Sequence, residues 1–237
     1  MRIIAQFTKN TEKVPIANQS KINRYIHNCL GKNNIYHDRK NDYCISHLYG
    51  GKLNEDKYTL NFENGGIIVI TSKNEDFLNA IIGGIADNKY LSWGMEFKQF
   101  EFIKEQLIDG WNYFATLSPF IIKEYKNKNL YNFITLDDKD FNNKITNYIK
   151  NKISKIDDKL DISNLRVEVP YNNKHKVKKI LIKNVINKAN QCQLNIFCNK
   201  KVAELIYNYG FGQSTGSGFG TIYKTENHNK YKKFISI

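Results

Sequence analysis

Five histidines, His27, His37, His47, His175 and His228, are the side chains of this sequence best suited to move a proton near neutral pH. The first three are spaced ten residues apart, in a stretch that also carries Arg24, Arg39 and Lys40. An imidazole can act as general acid or base, and a nearby cation can steady negative charge gathering on a reacting group. His37 stands in the polar run from Ile35 to Lys40, and His27 lies one helical turn from Arg24. His47, within Ser46-His47-Leu48, reads by its alternation as a structural strand residue. The cysteines, Cys29, Cys44, Cys192 and Cys198, are scattered among apolar residues without a CxxC pair. They read as free thiols in a reducing compartment, and neither a metal site nor a cofactor is expected.

The chain has 237 residues with 36 Lys and Arg against 23 Asp and Glu, a formal charge of +13. Only four of the cations are arginine, so a flexible lysine field dominates. Such a field suits a polyanionic partner, most often nucleic acid. With 41% hydrophobic residues the chain can bury a core, which excludes global disorder. The apolar run after Met1 is too short for a signal peptide, and no stretch approaches a membrane span, so a cytoplasmic protein without membrane contact is expected.

Elements able to position these residues follow from periodicity. Strands are expected at Arg2 to Thr8, Tyr43 to Tyr49, Lys57 to Glu63 and Gly66 to Thr71, the last two joined as a hairpin through Asn64-Gly65-Gly66. Helices fit Gln19 to Leu30 and Glu75 to Ala86, and a β-rich stretch from Leu91 to Leu107 closes the first half. In the second half, Thr116 to Glu124 reads as a strand made irregular by Pro119, followed by a helix from Lys139 to Ile156. Strands at Leu165 to Val169, Val177 to Val185 and Gln191 to Cys198, a helix at Val202 to Tyr209 and a strand at Thr221 to Lys224 complete it. Both halves read β-α-β-β-α-β, an α+β class of two tandem ferredoxin-like domains, residues 1–112 and 113–237.

Five of the 14 glycines, Gly210, Gly212, Gly216, Gly218 and Gly220, crowd into one loop after the last helix. The loop is no dinucleotide fingerprint, because it follows a helix and has Thr215 where a third glycine belongs. Without Gly-Lys-Ser/Thr it is no P-loop either. Backbone N–H groups near a helix end, in a basic protein, suit nucleic-acid phosphates. Gly210-Phe-Gly, five residues, then Gly218-Phe-Gly at the end of a double ferredoxin-like chain resembles the signature loop of the CRISPR-associated endoribonucleases that cut precursor CRISPR RNA, the Cas six family. Thr116-Leu-Ser-Pro119 is similar to that family's interdomain segment, and Val14-Pro-Ile16 before a helix with Ile26-His-Asn28 resembles its first-helix region.

The resemblance implies a metal-independent endoribonuclease. It would bind precursor CRISPR RNA at its repeats, cleave by 2′-OH attack to leave a 2′,3′-cyclic phosphate, and keep or release the mature guide. His37 resembles the family's loop histidine, with Lys40 or Arg39 as charge stabiliser, while Asp42 stands near the place of the family's usual lysine. His27 occupies the place of a helix residue that contributes to cleavage in relatives. Arg24, Arg39, Lys174, Lys176, Lys178, Lys179, the five loop glycines and Phe219 would contact RNA, and Tyr36, Tyr43, Tyr171 and Phe219 could stack on bases. A CRISPR effector complex and a homodimer stand as further possible partners. Two alternatives remain open: a non-catalytic CRISPR RNA-binding subunit of the same superfamily, and an unrelated RNA-binding module.

Overall fold

The computed structural model describes residues 1–31, 34–36, 43–127, 130–172, 175–182 and 184–227. The first half contains Arg2–Phe7 (β1), Val14–Pro15 (β2), Gln19–Cys29 (α1), Tyr43–Ile45 (β3), Lys52–Leu53 (β4), Thr59–Asn61 (β5), Gly66–Ser72 (β6), Glu75–Asp87 (α2), Tyr90–Ser92 (β7) and Met95–Ile103 (β8). The second contains Gly110–Thr116 (β9), Lys123–Tyr125 (β10), Tyr131–Phe133 (β11), Phe141–Ile156 (α3), Arg166–Glu168 (β12), Lys176–Ile182 (β13), Val185–Gln191 (β14), Gln193–Cys198 (β15), Lys200–Tyr209 (α4) and Ile222–Lys224 (β16).

The two main sheets order their strands β3-β6-β1-β8-β7 and β12-β15-β9-β16. Counting only the strands around the helices, each sheet runs second, third, first, fourth, with every neighbour antiparallel. The fold is two ferredoxin-like units in tandem. Each helix turns one apolar stripe to its sheet: Ile22, Tyr25, Ile26 and Cys29 on α1, and Phe141, Ile145, Ile149 and Ile153 on α3. Asn74 caps α2 by accepting from Phe77 N at 3.0 Å, with Glu75 and Asp76 in the first turn against the helix dipole.

Strands β1 and β6 are apolar on both faces because both faces are covered. Ile3, Ala5, Phe7, Ile68 and Ile70 pack under α1 and α2. Ile4, Ile67 and Val69 meet Ile103, Leu117, Tyr49 and Tyr223 in a separate cluster that joins the domains. Arg2 crosses the same junction, its guanidinium 3.8 Å over the Tyr207 ring.

Three expectations are corrected. Asn64-Gly65-Gly66 does turn the chain, Gly65 having φ +82, but β5 pairs with β2 and β4 while β6 takes β1 and β3. A central, doubly covered strand has no edge left for a hairpin partner. Val177 to Val185 is not one strand: β13 and β14 form a hairpin of their own, turning at Asn184 with φ 65. Thr116 to Glu124 is not a strand either, since β9 ends at Thr116 and Phe120 and Ile121 make only single bridges, to Asn190 and Gln213. Strand β9 lies wholly in the second sheet, so the sheets part between Ile103 and Gly110.

Candidate nucleic-acid interface

The glycine-rich loop is wedged between the domains, and three of its glycines lie close against the first one. A Cβ on Gly210 would lie 2.6 Å from Cys44 Sγ, on Gly216 2.8 Å from the Tyr43 ring, and on Gly218 2.4 Å from Gln19 Nε2. Thr215 Oγ1 donates to Tyr43 O at 2.9 Å, and Cys44 Sγ donates to Phe219 O at 3.4 Å. Gly210, Gly212, Gly216, Gly218, Phe219 and Gly220 are all buried. Gly210, Gly216 and Gly218 face the first domain, Gly212 and Gly220 face Ile121 and Phe211 of the second, and Gln213, Ser214 and Ser217 keep partial exposure.

Beside this wedge lies a groove of about 610 Å³ lined by residues of α1, the segment after β3, Pro119 and the β13 strand. Gln19, at the first turn of α1, is 4% exposed. Its Nε2 donates to Asn23 Oδ1 at 2.9 Å and Asn23 in turn donates to Ser217 O at 3.3 Å, which ties α1 to the loop. Its Oε1 is buried without a hydrogen-bond partner. So is Nε2 of His47, a residue that lies beyond the end of β3. The His47 backbone N–H donates to Ser118 Oγ at 3.0 Å, and its ring meets Phe219 edge-on at 5.9 Å. Burial, reinforced by the Lys178 charge, pulls the His47 pKa down to about 4. The ring is therefore neutral at pH 7, offering one donor and one acceptor. Lys178 and Lys179 line the same groove, and burial and the Lys176 charge lower the pKa of Lys178.

Two buried polar atoms left unpaired cost about 1–3 kcal/mol each. One groove thus holds both atoms next to two lysines and the first turn of α1, where Asn18 makes no side-chain cap. Nothing in the sequence pattern pointed to Gln19. Only the packing of α1 on the loop makes it a groove residue.

The other expected residues fall as follows. His27 is half-buried on α1, eight residues and hence about 12 Å along the helix from Gln19, and Arg24 is exposed. Lys176 is exposed on β13. His37, Arg39, Lys40 and Lys174 lie outside the described residues. Of the aromatic residues, Tyr43 stacks on Phe77 at 4.4 Å, Tyr36 meets the same ring edge-on, and Tyr171 is fully exposed. Among the described residues no group of His, Cys, Asp and Glu is gathered to hold a metal, and the four cysteines are buried free thiols. No described helix is long and apolar enough to cross a membrane.

Reversing Lys176, Lys178 and Lys179 to Glu tests whether this strand meets phosphates. Each phosphate contact contributes a slope of about −0.7 in log K against log salt for a single strand. The triple variant is expected to bind RNA more weakly and with a flatter slope. An unchanged slope would leave these lysines as a solvated strand face.

A family model described as CRISPR associated protein Cas6, C-terminal, matches residues 101–223. The fold is similar to a Cas6-related protein from Pyrococcus furiosus, with TM-score 0.82 at 18% identity over 95% of this chain and 98% of that one. It is similar, with TM-score 0.81 at 18% identity over 94% and 99%, to a structure described as an RAMP protein binding different RNA substrates. A Cas6 product complex superposes with TM-score 0.65 at 10% identity over 93% and 98%. No curated protein sequence matches the chain.

Proposed function

The chain belongs to the Cas6 family, and on that premise we propose that it binds precursor CRISPR RNA and cuts it within its repeats. The observation that carries the binding part is the groove: unpartnered Gln19 Oε1 and His47 Nε2 beside Lys178 and Lys179. A nucleotide offers what these atoms lack. Its 2′-hydroxyl and base edge donate and accept, and its phosphate meets the lysines.

Cleavage uses a nucleophile that the substrate brings. The 2′-oxygen loses its proton to a base and bonds to the adjacent phosphorus. The bond from phosphorus to the 5′-oxygen breaks, an acid protonates that oxygen, and a 2′,3′-cyclic phosphate remains. The protein has to hold the 2′-oxygen in line and place positive charge on the phosphorane. We assign His37 to proton transfer with Lys40 or Arg39 as the cation, and His27 to the helix side of the same centre. Support for these roles comes from the family resemblance of the segment. His47, with its Nε2 buried and unpartnered in the groove beside Lys178, is assigned to RNA contact.

The test is incubation of the purified chain with repeat RNA from its source genome in excess EDTA. Cleavage is expected to persist and to leave a cyclic phosphate. One 2′-deoxy substitution at the scissile nucleotide is expected to abolish it with binding nearly intact. Loss of activity in EDTA, restored by magnesium, would overturn the mechanism. Tight, specific binding without any cleavage would favour the non-catalytic RNA-binding subunit instead.

A further inference from the structure

A second cluster lies against the glycine loop and shares no lining residue with the groove. It is centred on Lys152, which projects from α3 toward the end of α4. The Lys152 Nζ donates to three carbonyls: Tyr209 O at 3.4 Å, Gly210 O at 2.7 Å and Gly212 O at 3.0 Å. The last turn of a helix leaves carbonyls without internal partners, and a glycine at the end commonly allows backbone N–H groups to return and satisfy them. Here side chains from both domains do so. Arg2 reaches Tyr207 O at 3.5 Å, Thr71 Oγ1 donates to Asn208 O at 2.7 Å, and Lys152 takes the next two. Two of these donors are cations at the negative end of the helix dipole.

Of those three side chains, Lys152 alone makes a bond past the helix end into the loop, at Gly212. Gly210 and Gly212 have φ +76 and +90, a backbone region with no side chain to lock it, so the start of the loop depends on outside bonds. Its other backbone ties are Phe211 N to Gly220 O and Gln213 N to Ile121 O, both at 2.8 Å. Further along, the same loop supplies Gly218 against Gln19 and Phe219 against His47. The same short segment, residues 210–219, connects the carbonyls that Lys152 holds to the two groove residues.

Enclosing an ammonium has a cost. Burial draws the Lys152 pKa down to about 8. Burial also pushes the Cys44 thiol up, away from ionisation. A methionine would fill the same path without that cost. It would also leave the three carbonyls without this donor, so the relief of the buried charge is set against three lost hydrogen bonds.

We infer that Lys152 is a positioning residue of the RNA-binding face: it fixes the start of the glycine loop so that the far end holds Gln19 and His47 in place for RNA. The inference rests on the RNA-binding reading above.

The experiment is Lys152→Met in the full chain, read in three ways: thermal unfolding between pH 7 and pH 10, amide hydrogen exchange over residues 210–220, and Kd for the repeat RNA. The variant is expected to change little in Tm at pH 7, the lost hydrogen bonds offsetting the relieved burial of the charge. Between about pH 8 and 10.5 the unfolded parent holds a proton on Lys152 that the folded parent has lost, so the parent gains stability against the variant as pH rises. Exchange over residues 210–220 is expected to quicken about tenfold, and Kd to rise about tenfold. Unchanged loop exchange and unchanged Kd would overturn the proposal. So would a variant that fails to fold, or one whose Tm and affinity fall in step, since either puts Lys152 among ordinary structural residues. If the parent itself binds no repeat RNA, the RNA reading fails by itself, and the loop exchange still decides whether Lys152 holds the loop.

Discussion

His37→Ala is expected to slow single-turnover cleavage of repeat RNA by about 10²-fold or more, with Kd nearly unchanged. A group that transfers a proton in the transition state contributes 10²- to 10⁴-fold, about 3 to 5 kcal/mol of barrier, whereas a surface or packing histidine acts through stability or affinity. His27→Ala is expected to show a comparable or smaller loss, on the reading that assigns it to the helix side of the same centre. The double variant should be far less damaged than the product of the two single effects, since both groups act on one transition state. His47→Ala should separate cleanly from both. Its neutral, unpartnered ring predicts a rise in Kd with the rate of the bound complex largely kept. Single-turnover rates and binding isotherms for the four variants decide the matter. Parental rates in both His27→Ala and His37→Ala would remove the catalytic assignment and favour an RNA-binding subunit.

Gly220→Ala is expected to destabilise the fold by about 3–5 kcal/mol, among the largest effects a single methyl can have. Gly220 has φ +73, and a Cβ there would lie 1.9 Å from Phe211 O and 2.9 Å from Phe211 C. Both obstacles are backbone, and neither can swing aside. The two residues are also held together by Phe211 N donating to Gly220 O at 2.8 Å, and Gly220 N donates to Pro119 O at 3.0 Å. The methyl has to break this closure of the loop or force its backbone apart. Gly83→Ala supplies the contrast: the glycine sits inside α2 with open space around its Cβ position, so alanine should stabilise by about 0.5–1 kcal/mol. Thermal unfolding of the two variants should move in opposite directions. Equal Tm values would mean that the loop closure contributes nothing to the fold.

The sequence by itself determined the helices and the position of the glycine loop, but it placed the first strand of the second half at Thr116 to Glu124 where the structure has Gly110–Thr116. Apolar spacing of three and four on Ile22, Ile26 and Cys29, or of four on Phe141, Ile145, Ile149 and Ile153, is a property of one helix facing one sheet, and it survives whatever packs outside. The same local logic misjudged Asn64-Gly65-Gly66. A turn signal states that the chain reverses, but the partner of β6 is chosen by which edges the sheet leaves open, and β1 and β3 took both. It also ran β13 into its turn and passed over β14, whose Asn187-Lys188-Ala189-Asn190 lacks a strand's alternation because a separate hairpin buries Asn187, Ala189 and Asn190. Only the tertiary structure decided why five glycines crowd into one loop. Each of Gly210, Gly216 and Gly218 meets a different side chain of the other domain, at distances no Cβ would allow. It alone brought Gln19 and His47 to one groove and set Lys152 beneath carbonyls 57, 58 and 60 residues away. Periodicity reports how a residue sits in its own element. Convergence depends on how two separately folded sheets dock, and that information is spread over the whole interface, with no local pattern to carry it.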